Sequence, residues 1–236
     1  MERYVGLVPA AGSGRRLGGE LPKQYLEVGG SPLIAHAIRA LLAEPRIDCV
    51  FVVLSNDDER FKRIEWGAAT GRVVPLYCGG ETRSISVYNG LVACADALDL
   101  NDWMLVHDAA RPCLAPSDVA RLIDAMTATE IGGLLAAPVA DTLKQDDGDG
   151  RVARTVDRSS LWRALTPQMF RYGTLLQALG GGRAQDAAMT DEASAVERLG
   201  FHPRLIAGMS SNIKVTLQED LALVAAWMQQ TTNRLA

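Results

Sequence analysis

Neither histidine nor cysteine is common in this chain of 236 residues, and neither is clustered. The histidines, His36, His107 and His202, lie far apart, and Cys49, Cys78, Cys94 and Cys113 form no Cys-x-x-Cys pair. That scatter argues against a zinc site, and sparse unpaired cysteines point to a reducing compartment. No apolar run approaches the about 20 residues of a membrane span. The opening Met-Glu-Arg-Tyr leads straight into an apolar run with no signal-peptide pattern, so a cytoplasmic protein is expected. A basic excess is also missing. With 24 Lys and Arg against 28 Asp and Glu the net charge is −4, which disfavours nucleic acid but leaves room for a nucleotide held by local charge. There is no internal repeat, no long linker and no low-complexity tract beyond Gly180-Gly181-Gly182. One domain over residues 1–236, with an arm at about 141–158, is the expected organisation.

What is present is concentrated near the start. Residues 5–8 have the length and β-branched content of a buried strand, and Pro9-Ala10-Ala11-Gly12-Ser13-Gly14 follow, then Arg15, Arg16 and, further on, Pro22-Lys23. Small residues after a strand let a ligand approach the backbone, and exposed N–H groups in such a turn bind anions. Arg15, Arg16 and Lys23 would add full positive charge. Two better-known phosphate loops do not fit. G-x-G-x-x-G fails because Leu17 stands three residues after Gly14, and the P-loop fails because Glu20 follows Gly19 where lysine is required. The first failure disfavours a Rossmann-type oxidoreductase. A nucleoside triphosphate cradle and a glycine-rich turn with solvated arginines both remain open on this loop alone.

Further on, strand and helix alternate, which predicts a Rossmann-like α/β fold: a mostly parallel twisted sheet with helices on both faces. A helix is expected from Ser31-Pro32, strands over 47–54 and 73–77, and a polar helical return over 57–66. Gly79 and Gly80 would allow close approach to a ligand, with Arg83 and Ser86 at the start of a helix running through Val87, Leu91, Cys94 and Leu98. A strand over 103–106 ends in His107-Asp108-Ala109-Ala110-Arg111, and ligands gather at such carboxyl ends. His107 has the position of a general base, but a packed strand-end histidine is the expected reading. Ser117 should cap a helix, and 132–139 should be a strand. Residues 142–145 and 151–156 flank a DG-containing turn and read as a polar hairpin that projects and pairs with a second copy. The residues from Gly180 to Met189 read as a mobile loop. Asp191 and Glu192 read as helix capping, most simply so for Glu192. Short strands are expected over 203–206 and 213–215, with Lys214 inside the latter, and a capping box at Thr216 opens the last helix.

Taken in order, AAGSGRR, PKQY, GGETR with Ser86, HDAARPC, APVADT, TVDR, LTPQ, TDEASA and NIKVT resemble the 2-C-methyl-D-erythritol 4-phosphate cytidylyltransferase family from Pro9 to the final helix. The related ribitol 5-phosphate cytidylyltransferases share the triphosphate loop and much of the HDA motif and are the alternative; the TVDR-to-LTPQ run is more similar to the erythritol branch. The resemblance implies a nucleotidyltransferase that joins CTP to methylerythritol phosphate with Mg²⁺, acting as a homodimer through the hairpin. It implies that Arg16 and Lys23 stabilise the reacting phosphate. Ala10, Ala11, Gly12, Gly80, Arg83 and Ser86 would hold the nucleotide, and Asp108 the metal–triphosphate unit. Arg111, Asp141, Thr142, Arg158, Thr166, Thr190 and Lys214 would surround the acceptor. A catalytically silent nucleotide-binding module is the remaining rival class.

Overall fold

The computed structural model describes residues 2–12, 21–126, 130–186 and 189–235. The apolar runs form the strands β1 (Tyr4–Pro9), β4 (Ile47–Val53), β5 (Val73–Leu76), β6 (Trp103–Val106), β7 (Gly132–Pro138), β10 (Trp162–Arg171) and β11 (Arg204–Ala207). Two-residue strands β2 (Glu27–Val28) and β3 (Ser31–Pro32) pair with each other, and β8 (Leu143–Asp146) pairs with β9 (Val152–Val156). The main sheet has the order β11-β7-β10-β6-β1-β4-β5. Every neighbour pairing in it is parallel except those of β10, which runs antiparallel to β6 and β7.

The helices are α1 (Leu33–Leu42), α2 (Arg83–Ala93), α3 (Pro116–Ala125), α4 (Tyr172–Leu179), α5 (Glu192–Glu197) and α6 (Gln218–Leu235). Alternation along the central strands sends side chains to both faces. Val8, Val50 and Val52 pack with Ile38 of α1 and Leu122 of α3 on one face. Val5, Leu7 and Val53 pack with Leu91 of α2 and Leu175 of α4 on the other. The expected α/β architecture is therefore the observed one. A third cluster seats Val224 of α6 against Val28, Leu33, Cys113 and Val215, which ties the last helix to the front of the molecule.

Several local expectations are corrected. Residues 57–66 make no α-helix but a 3₁₀ turn at Phe61–Arg63, followed by another at Gly67–Arg72. The buried Asp58 carboxylate accepts the N–H groups of Arg60 (2.9 Å) and Phe61 (3.0 Å), a local turn that competes with helix, while Phe61, Ile64 and Trp66 pack on the core. Ser31 and Pro32 belong to β3, and Pro32 precedes α1 without a side-chain cap. Helix α3 starts on Pro116 rather than behind Ser117, using the proline's fixed φ at the first helical position. At α6 the cap is Asp220, whose Oδ2 accepts the N–H groups of Thr216 (2.7 Å) and Leu217 (2.8 Å). Residues 213–215 form no strand; they cross the front of the sheet as a strap. The β8–β9 hairpin is present as a separate antiparallel pair, exposed along most of its length, with Gly148 and Gly150 at positive φ in its turn. Of the segment from Gly180 to Met189, residues 187–188 lie outside the described residues, and Arg183–Gln185 is a 3₁₀ turn. Among the described residues no helix is long and apolar enough to cross a membrane.

Candidate active site

The carboxyl ends of β1, β5 and β6 open on one cleft of about 760 Å³. Its walls include Ala10, Ala11 and Gly12 after β1, Gly80 to Arg83 and Ser86 after β5, and Asp108 to Ala110 after β6. Lys23, Gln24, Lys214 and Thr216 complete them. Each loop is held from below. Ala10 N–H continues the ladder to Val53 O (2.7 Å), and the buried Gln24 amide donates to Ala10 O at 2.7 Å, which fastens the PKQY turn to the first loop. Gly79 N–H donates to Leu54 O at 2.8 Å.

The two glycines of the second loop serve the protein's own packing, not only a ligand. A Cβ on Gly79 would fall 2.2 Å from Ala11 Cβ, and one on Gly80 would fall 2.2 Å from Ile85 Cγ2. Both contacts are far inside van der Waals distance, so glycine at 79 lets this loop lie against the first, and glycine at 80 lets it fold onto Ile85 of α2. Ser86 lines the cleft, but its Oγ is engaged within the loop. It accepts Gly80 N–H at 3.0 Å and donates to Thr82 O at 2.9 Å, so its effect is to shape the turn.

Charge is gathered at Asp108. Its carboxylate takes Arg83 Nε at 2.8 Å and Lys214 Nζ at 2.9 Å, and Arg111 Nε lies 3.4 Å away without hydrogen-bond geometry. Burial works to raise the Asp108 pKa, but Arg83, Lys214 and Arg111 outweigh it and hold the carboxyl well below the usual carboxylate range. Arg83 also forks onto Glu192, NH1 to Oε1 at 2.5 Å and NH2 to Oε2 at 3.0 Å. Burial opposes its charge, yet Glu192 and Asp108 keep it above the ordinary arginine value. Burial lowers the Arg111 pKa, against the pull of Asp108. Lys23 reaches the strap at Val215 O, 3.4 Å away. Four cations, Lys23, Arg83, Arg111 and Lys214, thus stand around two buried carboxylates, an excess of positive charge suited to a polyanion.

The buried His107 is packed, not exposed to the cleft. Its Nδ1 lies 2.9 Å from Thr166 Oγ1 and its Nε2 lies 3.1 Å from Arg111 O. Burial pushes its pKa down to about 4, which leaves a neutral ring at neutral pH. Thr166 Oγ1 in turn accepts Asp108 N–H at 3.1 Å. Asn212 donates to Thr166 O at 2.7 Å, and its own carbonyl accepts Arg111 NH1 at 2.8 Å, so the strap is latched to β10 and to Arg111.

Of the residues singled out from the sequence, Ala10, Ala11, Gly12, Lys23, Gly80, Arg83, Ser86, Asp108 and Lys214 share the cleft. Arg111 and Thr166 are buried directly behind it. Arg16 lies outside the described residues. Asp141, Thr142 and Arg158 are exposed at the foot of the hairpin and do not line the cleft. Thr190 is exposed just before α5, its N–H 3.3 Å from Ser194 Oγ. Glu192 is the residue that sequence reasoning missed. An acidic residue in a first turn reads as capping, but the cap here is Asp191 with Ser194, and Glu192 points inward to Arg83.

Among the described residues no group of three His, Cys, Asp or Glu side chains is placed to hold a metal by itself. The carboxylates on the cleft wall are Asp108 and Glu81. Asp108 already takes Arg83 on one oxygen and Lys214 on the other, so this lining suits an ion held mainly by substrate phosphates and water with a carboxylate nearby, the manner in which Mg²⁺ is commonly bound.

Comparison with known proteins agrees along the length of the chain. A family model described as 2-C-methyl-D-erythritol 4-phosphate cytidylyltransferase matches residues 4–230. A protein of that name from Azoarcus sp. (strain BH72) is 54% identical over 226 residues, covering 96% of this chain and 94% of the relative. A crystal structure of a 4-diphosphocytidyl-2C-methyl-D-erythritol synthase superposes with TM-score 0.83 at 38% identity, over 97% of this chain and 99% of that one. The 2-C-methyl-D-erythritol 4-phosphate cytidylyltransferase of Francisella tularensis superposes with TM-score 0.78 at 32% identity, over 94% and 98%.

Proposed function

We propose the following reading for a chain that belongs to the 2-C-methyl-D-erythritol 4-phosphate cytidylyltransferase family. The protein is a nucleotidyltransferase that condenses CTP with 2-C-methyl-D-erythritol 4-phosphate, giving 4-diphosphocytidyl-2-C-methyl-D-erythritol and pyrophosphate in the non-mevalonate route to isoprenoids. An acceptor phosphate oxygen attacks the α-phosphorus of CTP, and the bond from that phosphorus to the β-phosphate oxygen breaks. The attacking oxygen is already an anion, so no general base is required, and a neutral, enclosed His107 is consistent with that. The demand is instead to bring two anions together and release a third. The observation that carries this reading is the set of cations around Asp108 at the end of β6, facing the loops after β1 and β5.

In this reading Arg16 and Lys23 stabilise charge on the α-phosphate. The loop from Ala10 to Gly12, with Gly80, Arg83 and Ser86, holds the nucleotide. Mg²⁺, when bound to the triphosphate beside Asp108, supplies further neutralisation. Lys214 faces the acceptor from the cleft wall, and Arg111, Thr166 and Thr190 belong to the acceptor side of the site, the first two buried behind it. Asp141, Thr142 and Arg158 serve the acceptor of a second copy, the two chains forming a homodimer through the β8–β9 hairpin. Support for this is their exposure away from their own chain's cleft on a polar hairpin. A cytoplasmic setting belongs to the same reading and is supported by cysteines that form no disulfide.

Pyrophosphate release tests the reading, measured for ATP, GTP, UTP and CTP against methylerythritol phosphate and ribitol 5-phosphate. CTP with methylerythritol phosphate should stand alone. Comparable kcat/KM with ribitol 5-phosphate would move the chain to the other acceptor, and release with no acceptor dependence would overturn the transfer.

A further inference from the structure

Arg83 is the first residue of α2, where the positive end of the helix dipole disfavours a cation. Its guanidinium is nevertheless fixed at all three nitrogens, Nε on Asp108 and the two terminal groups on Glu192. A single contact to Asp108 would leave the group free to swing. The two-pronged contact to Glu192 sets its plane. Glu192 comes from the first turn of α5, and that turn is itself secured. The buried Gln168 of β10 donates to Asp191 Oδ2 at 2.9 Å and accepts Ala193 N–H at 2.8 Å, on either side of Glu192.

The charge of Glu192 works against binding a polyanion nearby, and its side chain is only 2% exposed. Nucleotide affinity alone would be served better by an arginine with no carboxylate behind it. We propose that Glu192 is a positioning residue, which holds Arg83 in the orientation that nucleotidyl transfer needs at the expense of ground-state affinity. Through the same contact it ties the α5 turn that follows Thr190 to the nucleotide side of the cleft. The inference rests on the cytidylyltransferase reading and adds a role for a residue that touches neither substrate.

The test compares Glu192→Gln, Glu192→Asp, Arg83→Lys and the double variant Arg83→Lys/Glu192→Gln, with turnover measured by pyrophosphate release and CTP affinity by calorimetry. Glu192→Gln keeps the shape, removes the charge and breaks one prong. It should lower kcat roughly 10- to 100-fold, the range expected for a small misplacement of a reacting group. CTP should bind as tightly as to wild type, or more tightly. Glu192→Asp, charged but one carbon short, should show the same separation and covers the case in which the glutamine variant does not fold. The double variant should lose no more kcat than Arg83→Lys alone, to within about twofold, because the two residues act as one unit. Turnover of Glu192→Gln or Glu192→Asp within about twofold of wild type would overturn the proposal, as would multiplied losses in the double variant or a CTP affinity that falls along with kcat. A wild-type chain that releases no pyrophosphate would count against the assigned reaction instead. Calorimetry would then still decide the coupling, which is refuted if Glu192→Gln weakens CTP binding or tightens it equally in the wild-type and Arg83→Lys backgrounds.

Discussion

Replacing Asp108 by asparagine removes the one carboxylate that Arg83, Arg111 and Lys214 share. The side chain is 8% exposed, so water cannot take its place. Removing one partner of a buried ion pair costs about 3–5 kcal/mol; here the buried Arg111 is the charge left uncompensated, while Arg83 keeps Glu192 and the part-exposed Lys214 turns to water. For a domain of this length 1 kcal/mol shifts Tm by roughly 2–4 °C, so a fall of roughly 6–20 °C is expected without ligand. CTP without divalent cation should offset part of the loss, since its phosphates supply the missing negative charge. Its stabilisation at a fixed concentration should therefore be larger for the variant than for wild type. Turnover with Mg²⁺ should nevertheless drop. Thermal unfolding with and without CTP, alongside the pyrophosphate assay, reads all three effects. An unchanged Tm combined with an unchanged response to CTP would refute the idea that Asp108 neutralises this cluster. The pH dependence has a definite sign. A depressed carboxylate pKa stabilises the fold above the unfolded value of about 4, and that contribution is lost as the pH falls further.

Lys23→Ala should lower kcat roughly 10²- to 10³-fold while raising KM for CTP much less, as expected for an interaction made chiefly in the transition state; a raised KM with normal kcat would reassign Lys23 to ground-state binding. Mixing Lys23→Ala chains with Arg158→Ala chains should restore activity by producing one intact site per mixed dimer; confirmed mixed dimers without recovery would rule out a site shared between chains. His107 should titrate at about 4 by NMR and leave no inflection near pH 6.5 in the rate profile. Because the unfolded histidine takes up a proton first, His107 should cost stability as the pH falls from about 6.5 toward 4, by about 3 kcal/mol in all; a normal histidine pKa would contradict its burial.

Strands β1, β4, β6 and β7 were legible because their apolar runs are mostly buried, and their parallel pairings followed from the helices between them; β10 was not read as a strand, because Arg163, Thr166, Pro167 and Gln168 interrupt its apolar pattern, and its antiparallel course between β6 and β7 was not anticipated. Helix starts were harder. Pro116 and Asp220 displaced Ser117 and Thr216 as the decisive residues, and each shift is only one or a few positions. Residues 57–66 have helix-compatible composition, but Asp58 turns the backbone by accepting the N–H groups of Arg60 and Phe61, so composition misled. The strap at 212–215 looks like a strand because Ile213 and Val215 are apolar, yet its bonds go to Ala110 O, Thr166 O and the Arg111 side chain. Arg83, Asp108 and Lys214 could be named as site residues from their motifs, but their contact could not be read from spacing. Arg83 and Glu192 are 109 positions apart, and nothing local to Glu192 distinguishes an inward carboxylate from a helix cap.

The central claim is that the acceptor's phosphate attacks the α-phosphorus of CTP. Methylerythritol phosphate carrying ¹⁸O in its phosphate group, incubated with unlabelled CTP and Mg²⁺, tests this directly by mass spectrometry of both products. All the label should remain in the diphosphocytidyl product, one labelled oxygen now bridging its two phosphorus atoms, and the pyrophosphate should be unlabelled. Label in the pyrophosphate, or a product lacking the acceptor's phosphate, would contradict the account.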